Sequence, residues 1–536
     1  MRILKIIIIP AFFATIFFSC SSASIISTPV ENIDKTPLKV AELTKAEKEK
    51  WGHLDLVKDT IPGMSVEKAY TEILKKRKGK QVIVAVLDSG IDIDHEDLDD
   101  VIWVNADEKP NNGIDDDKNG YIDDINGWNF VGDGYYEQLE LVRLLASGDT
   151  NNPRYEEAKS ELNSLRDKYS KLKANNEEFL IQVNSADETI SNHLGKKDYT
   201  KNDVKSIKTQ DRGLQQSVAI INYVYSLEFT SVSEFKEVLE NSLKSANDFL
   251  NYFLNINHKG RVTGDNPDDL SDKPYGNNDV KPRKKSESHG THVSGIIAAE
   301  RNNGKGINGV ANNVRIMAIR STPRGDEYDK DVALAIRYAV DNGASIINCS
   351  FGKSYSPHSD WVRDAIVYAS KNDVLIVHAA GNDSKNIDKK PNFPDDNVNG
   401  EEVSSNYLRV GALDPKYGSS IVASYSNYGK NNVDVFAPGT DIYSTVPENE
   451  YKFEQGTSMA APAVTGVAAL IRSYYPNLSA AQVKRIIMDS GLPIKSKIIV
   501  GGNTSDIKNF SEIAKSGKIV NAYNALIMAS KIASIN

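Results

Sequence analysis

The sequence predicts an α/β fold: a mostly parallel sheet covered by helices on both faces, interrupted by an α-helical insertion. Three observations carry this. The β-branched run "QVIVAVLDSG" at 81–90 reads as a buried strand stopped by Ser-Gly. After residue 285, short apolar runs alternate with amphipathic stretches of about a dozen residues. Between them, Tyr155, Ala158, Leu162, Leu165, Tyr169, Leu172 and Phe179 recur at spacings of three, four and seven, a helical a/d seam.

Taken in order, the chain opens on a leader. Arg2 and Lys5 precede an apolar run at 6–18, too short for a membrane span, and then Ser19-Cys20-Ser21-Ser22. This resembles a bacterial lipoprotein signal, with Cys20 lipidated as the mature N-terminus, although Phe17-Phe18-Ser19 departs from the usual motif. The alternative is an ordinary signal peptide cut after Ala23. Residues 24–80 are polar with scattered apolar positions. The strand at 81–90 follows, with Asp88 at its carboxyl end.

The insertion is expected to hold three helical stretches. The first is the seam from Tyr155, and the second covers roughly 203–227. The third opens at Ser231 with Glu234 at capping-box distance, and carries Phe235, Leu239, Ala246, Phe249 and Phe253 as its stripe. Beyond 285, "NVRIMAIR", "ASIINCS", "VLIVHAAGN", "NYLRVGAL" and "NVDVFAPG" read as strands. Helices are expected at 329–342, 360–372, 457–475 and 479–490. Sites in such sheets lie at the carboxyl ends of strands, where Asp88 and Asn382 both fall.

Composition excludes several classes. The 536 residues are 40% hydrophobic and 26% charged, the balance of a soluble globular protein. A net charge of −9 argues against a nucleic-acid partner. Cys20 and Cys349 are the only cysteines, so no disulfide framework is expected.

The chemistry concentrates in a few motifs. In "GTSMAAPAVTGVAALI", Ser458 opens a helix rich in alanine, where free N–H groups and the helix dipole favour developing negative charge. A serine hydroxyl needs a base, and His289 in "SHGTHVSG" is the candidate. An imidazole that gains a proton needs a carboxylate, for which Asp88 is placed. Asn382 could donate its amide to an oxyanion. His289 and His292 could instead be a metal pair, but zinc-binding helices space their histidines at i, i+4 with a glutamate between.

"VAVLDSGIDIDHEDL", "SHGTHVSGIIAA", "AAGND" and "GTSMAAPAVTGVAALI", in that order, resemble the four signatures of the subtilisin-like serine proteases, the subtilase family. The resemblance covers about 80–134 and 261–530. It implies a subtilisin-like fold, Asp88, His289 and Ser458 as catalytic triad, Asn382 as oxyanion donor and His292 as a packing residue. "NCSFGKS" resembles the segment that pairs with extended peptide substrate, so Ser350, Phe351 and Gly352 are the implied substrate-binding residues. Lys353 stands where many members carry Gly. Asp88 and His289 lie 201 residues apart, and the helical insertion accounts for most of that gap.

"NNGIDDDKNGYIDD" is a second feature. Asp115, Asp117, Asn119 and the Tyr121 carbonyl alternate, followed by Asp123 and Asp124, with Gly120 for a sharp turn. Alternating oxygen ligands suit Ca²⁺, although Asn126 stands where an EF-hand has its bidentate Glu. The alternative is an acidic solvated turn. Asp97, in "HEDL", matches a carboxylate that often binds structural calcium in subtilases.

The resulting expectation is a signal peptide at 1–20, an N-terminal wrap or pro-segment at 21–80, a catalytic domain at 81–134 and 261–536, and a helical insertion at 135–260. The protein is read as an exported, calcium-assisted serine endopeptidase of protein or peptide substrates, anchored in the cell envelope through Cys20, or else secreted or periplasmic. The alternatives are a narrow maturation protease that uses the insertion for recognition, and a catalytically silent envelope binding protein on the same fold.

Overall fold

Val82–Asp88 forms the strand that its β-branched run predicts, and its side chains divide two cores. Val82, Val84 and Val86 enter one; Ala85 and Leu87 enter the other. The computed structural model describes residues 27–31, 33, 39 and 41–535. Cys20 and the leader lie outside the described residues.

This strand, β1, sits inside a nine-stranded sheet. The others are β2 (Gly127–Asn129), β3 (Val314–Arg320), β4 (Ile346–Cys349), β5 (Leu375–Ala379), β6 (Tyr407–Leu413), β7 (Val435–Pro438), β8 (Leu492–Pro493) and β9 (Lys518–Ile519). Their order is β8-β9-β7-β6-β5-β4-β1-β3-β2, and every pair is parallel except β8 with β9. From β1 the chain goes to β2 at the sheet edge, returns to β3 between them, then crosses to lay β4 on the other side of β1. The crevice opened by that reversal, at the carboxyl ends of the strands, is where such sheets hold ligands.

Helices cover both faces, as expected. α4 (His289–Ala298) and α7 (Thr457–Tyr474) bury Val293, Ile297, Val464 and Val467 in the core that holds Val84 and Val410. α5 (Asp329–Asp341) and α6 (Ser359–Lys371) bury Val332, Ile336, Val362 and Ile366 against Leu87, Met317 and Ile347. Each such aliphatic side chain contributes roughly 1.5–3 kcal/mol by leaving water. That is why the amphipathic stripes, rather than helix propensity, fix these helices in place.

Between β2 and α4 the chain makes a helical excursion. α1 (Tyr155–Leu194) is a single helix of 40 residues, longer than the seam ending at Phe179 suggests. Its seam continues through Val183, Ala186 and Ile190, which bury against α2 (Arg212–Ser226) and α3 (Val232–Asp248). α2 starts later than expected because Asp211 caps it, accepting the Leu214 N–H at 2.8 Å. Lys201–Ser206 is a separate short helix with its own capping box at Thr200. The far end of α1 therefore has its own core. Its near end, at Ala158 and Leu162, packs on Leu141, Val142, Leu254 and Tyr355.

The N-terminal segment lies against the sheet domain. Ile33, Trp51, Leu56, Ile61 and Met64 join the core of Val84. Trp51 donates its indole N–H to the carbonyls of Thr440 and Asp441 at 3.0 and 3.1 Å. The backbone of Val30 exchanges two hydrogen bonds with the Asn524 side chain, at 2.8 and 3.0 Å.

Candidate active site

Asp88 ends β1 and His289 begins α4. The Asp88 Oδ1 accepts from His289 Nδ1 at 2.7 Å and from the Ser89 N–H at 2.7 Å. Asp88 is 2% exposed, and its Oδ2 is buried without a hydrogen-bond partner. A buried carboxylate in that condition needs a cation close by, and His289 supplies it. Burial opposes charging of the imidazole, but the field and hydrogen bond of Asp88 outweigh it and lift the His289 pKa to about 9. The loop before His289 is pinned by Arg320, fully buried at the end of β3. Its guanidinium pairs with Glu287 at 2.9 Å and donates to the carbonyls of Gly132 and Gly134.

His292 faces elsewhere. It is fully buried, and its Nε2 lies 3.1 Å from the Ile442 carbonyl and 3.0 Å from the Lys452 carbonyl. Those carbonyls belong to a hairpin of Ile442–Val446 and Glu450–Glu454 that the sequence reading did not foresee. Burial depresses the His292 pKa to about 4, so the ring is neutral and bonds the hairpin to α4. The two histidines do not converge as metal ligands.

Ser458 is the second residue of α7. Gly456 before it has φ +150°, a value that L side chains rarely adopt, which explains the glycine there. The Ser458 hydroxyl donates to the Ser350 carbonyl at 3.0 Å, and the Ser350 hydroxyl donates back to the Ser458 carbonyl at 2.9 Å. The hydroxyl thus shares a cleft with His289 but is turned to Ser350.

Asn382 follows β5. Its Oδ1 accepts from the Thr457 N–H at 2.8 Å and the Thr457 hydroxyl at 3.0 Å. With the oxygen committed, its amide N–H groups are left for the cleft. Asp88, His289, Asn382 and Ser458 all line one cleft of about 800 Å³, together with Ser350, Phe351 and Gly352. No described residue before Asp88 lines it. Phe351 is held from behind, its carbonyl 2.8 Å from the Nε2 of buried His378. Lys353 turns away from the cleft into a buried ion pair with Glu140 at 2.7 Å. Glu454, not singled out in the sequence, also lines the cleft and accepts from Ser288 at 2.8 Å.

The acidic loop gathers some of its predicted ligands. Asp115 and Asp117 lie with Glu108 such that one carboxylate oxygen from each falls within 4.8 Å of the others. Glu108 was missed because it precedes the loop motif. Asn119 bonds Asp117 and Asp124 through its amide, and Asn105 bridges the same two carboxylates at 3.0 Å each. Asp123 turns aside to accept the N–H groups of Asn112 and Gly113, and Tyr121 packs edge-on against Trp128 and Tyr338. Asp124 is fully buried, accepts from the Tyr338 hydroxyl at 2.5 Å, and is pushed up to about 6 by burial. Three converging carboxylates form an all-oxygen donor set, which fits a hard cation such as Ca²⁺. Asp97 lies at a different loop, accepting from Asn303 Nδ2 at 2.6 Å and the Ile307 N–H at 3.0 Å.

Residues 79–511 match the family model described as the subtilase family. A thermophilic serine proteinase of Bacillus sp. (strain AK1) is 44% identical over 187 residues, 35% of this chain and 43% of that protein. A cell wall-associated protease of Bacillus subtilis is 36% identical over 220 residues, 40% of this chain and 22% of that protein. Thermitase of Thermoactinomyces vulgaris is 38% identical over 214 residues, 39% of this chain and 71% of that protein. The chain spans less than half the length of the first two relatives.

The ion pair at the cleft makes a direct prediction. An NMR titration of His289 should give a pKa well above the ordinary 6.5. Asp88→Asn should lower it by more than one unit, because burial then opposes the charge without its main counter-ion. An unshifted His289 in that variant would break the assigned linkage.

Proposed function

Since the chain belongs to the subtilase family, we propose that it is an exported serine endopeptidase in which Asp88, His289 and Ser458 form the triad and Asn382 is the oxyanion donor. The observation that carries this is the 2.7 Å bond between Asp88 and His289 in the same cleft as Ser458 and Asn382. A peptide substrate adds as a strand along Ser350, Phe351 and Gly352. It competes for the Ser350 carbonyl that the Ser458 hydroxyl occupies, and the hydroxyl turns to neutral His289. His289 takes its proton as Ser458 attacks the scissile carbonyl, and Asp88 stabilises the imidazolium. The Asn382 amide and the Ser458 N–H hold the oxyanion, aided by the α7 dipole. His289 then protonates the leaving amine, and water releases the acyl group by the reverse path.

The acidic loop is proposed as a structural calcium site with Glu108, Asp115 and Asp117 as its carboxylate ligands. Asp97 is proposed as a ligand at a second site. Burial raises its carboxyl above the usual range, and a bound cation would reverse that. The leader is proposed to export the chain and Cys20 to anchor it in the envelope, with residues 21–80 retained as a wrap. Among the described residues no helix is long and apolar enough to cross a membrane.

A fluorophosphonate should label Ser458 in the folded mature protein, and Asn382→Ala should lower kcat about a hundredfold to a thousandfold, the size known for a lost oxyanion donor in a subtilisin. Absence of labelling overturns the enzyme reading in favour of a silent binding protein. Chelation should lower the melting temperature, and Glu108→Gln and Asp97→Asn should each remove part of that sensitivity. A melting curve indifferent to chelator refutes both sites. Cys20→Ser should move the protein out of the membrane fraction, and the intact mass of the mature wild type should include residues 21–80; unchanged partitioning refutes the anchor, and a smaller mass refutes the retained wrap.

A further inference from the structure

Two backbone segments line the cleft, and helical-insertion residues grip both. The first is the substrate strand of Ser350, Phe351 and Gly352. The residue after it, Lys353, has its backbone paired with Phe393 at 2.9 and 2.8 Å. Its side chain is 1% exposed and reaches the Glu140 carboxylate at 2.7 Å, the Asp329 carboxylate at 2.9 Å and the Glu327 carbonyl at 2.7 Å. Lysine is almost never buried to that degree unless paired. Glu140 belongs to the helix Glu140–Ala146, at the root of the insertion. The next residue, Ser354, gives its carbonyl to Arg154 Nη1 at 2.7 Å. Arg154 also lies 3.8 Å over the Tyr355 ring, whose hydroxyl donates to Glu161 at 2.9 Å.

The second segment is Thr322, Pro323, Arg324 and Gly325, which also lines the cleft. Its outer edge is taken by the insertion root. The Arg324 N–H donates to the Tyr135 carbonyl at 2.7 Å, and the Glu137 N–H donates to the Arg324 carbonyl at 2.9 Å. At Gly325, with φ +143°, a Cβ would lie 2.2 Å from the Glu137 carbonyl oxygen, so the two backbones touch. Further along, Arg143 donates to the carbonyls of Asp326 at 2.9 Å and Glu327 at 3.0 Å. The Glu140 N–H donates to the Asp326 carboxylate at 2.8 Å.

We propose that Lys353 is a positioning residue through which the helical insertion sets the spacing of the two cleft edges, so that binding of the acyl-side residues of an extended peptide depends on the insertion. This rests on the protease reading above. The physical reason is that strand addition needs a fixed edge. Small displacements of a positioned edge are costly, since about 1 Å of misplacement can lower a rate a hundredfold. Glu140 is the shared member: it holds Lys353 on one edge and, through its own N–H, Asp326 beside the other. Lys353 sits between the Glu140 and Asp329 carboxylates, so it also neutralises like charges that would otherwise repel at this junction.

The test uses the full chain with two substrates: a peptide occupying four acyl-side residues and a single-residue ester. Active sites are counted by fluorophosphonate labelling. Lys353→Met should raise KM for the peptide about tenfold, with kcat per labelled site changed less than about twofold and the ester KM unmoved. Lys353→Arg should recover part of the loss. Arg154→Ala alters a partly exposed side chain, and should show the same split to a smaller degree even if Lys353→Met does not fold. Equal losses on ester and peptide, or no peptide loss in any folded variant, overturn the proposal. A wild-type protein that takes no label and cleaves no ester defeats the protease reading instead.

Discussion

A charge taken out of water at the end of a buried strand costs several kcal/mol unless something pairs with it. Asp88 is in that position, and the first turn of α4 brings His289 onto it. Much of the surrounding architecture serves the pairing. β1 lies at the reversal of the sheet, and its end shares one crevice with the first turns of α4 and α7. Arg320 and Glu287 fix the loop that leads into His289, and the same arginine holds the carbonyls of Gly132 and Gly134 at the entrance to the insertion. The electrostatics of the cleft and the route of the chain through its longest excursion are therefore joined at one buried guanidinium.

The insertion is coupled to the cleft through its root and independent at its tip. Val183, Ile190, Ile221, Val224 and Phe235 form a core with no member in either face of the sheet. The root instead spends its polar groups on the segments beside the substrate strand. Such a division suits an element that can vary in length or partner at its far end while its near end keeps a fixed geometry. It also accounts for Lys353, a residue that reads as an intrusion into a substrate pocket when only neighbours in sequence are considered. Its ammonium turns the other way, to the Glu140 and Asp329 carboxylates that neutralise it behind the strand.

Much of the fold was legible because its signals are local. The β-branched run of β1 and the stripes of α5 and α6 each bury a face that periodicity alone defines. The elements that were missed or misplaced depend on partners distant in the chain. β2 has three residues and exists because Trp128 and Asn129 find β3. The 442–454 hairpin is held to α4 by His292, and α2 was read as starting too early because a capping aspartate, Asp211, outweighed a continuous helical pattern. The same distinction runs through the acidic loop. Alternation pointed to Asp115 and Asp117, but Glu108 joins them from outside the motif, while Asp123 turns back to cap the loop's own backbone.

From the sequence by itself, local pattern determined the α/β class, and four motifs that resemble the subtilase signatures pointed to Asp88, His289, Asn382 and Ser458 as the residues of interest. The spacing of His289 and His292 argued against a metal pair, and the resemblance implied that His292 packs. Only the tertiary structure decided that Asp88 and His289 touch across 201 residues, that the Ser458 hydroxyl turns to Ser350, and that Lys353 belongs to the insertion rather than to the pocket. Hydrogen bonds and ion pairs are set by which groups meet after the sheet closes, and burial decides which of them must be satisfied. No local pattern carries that information.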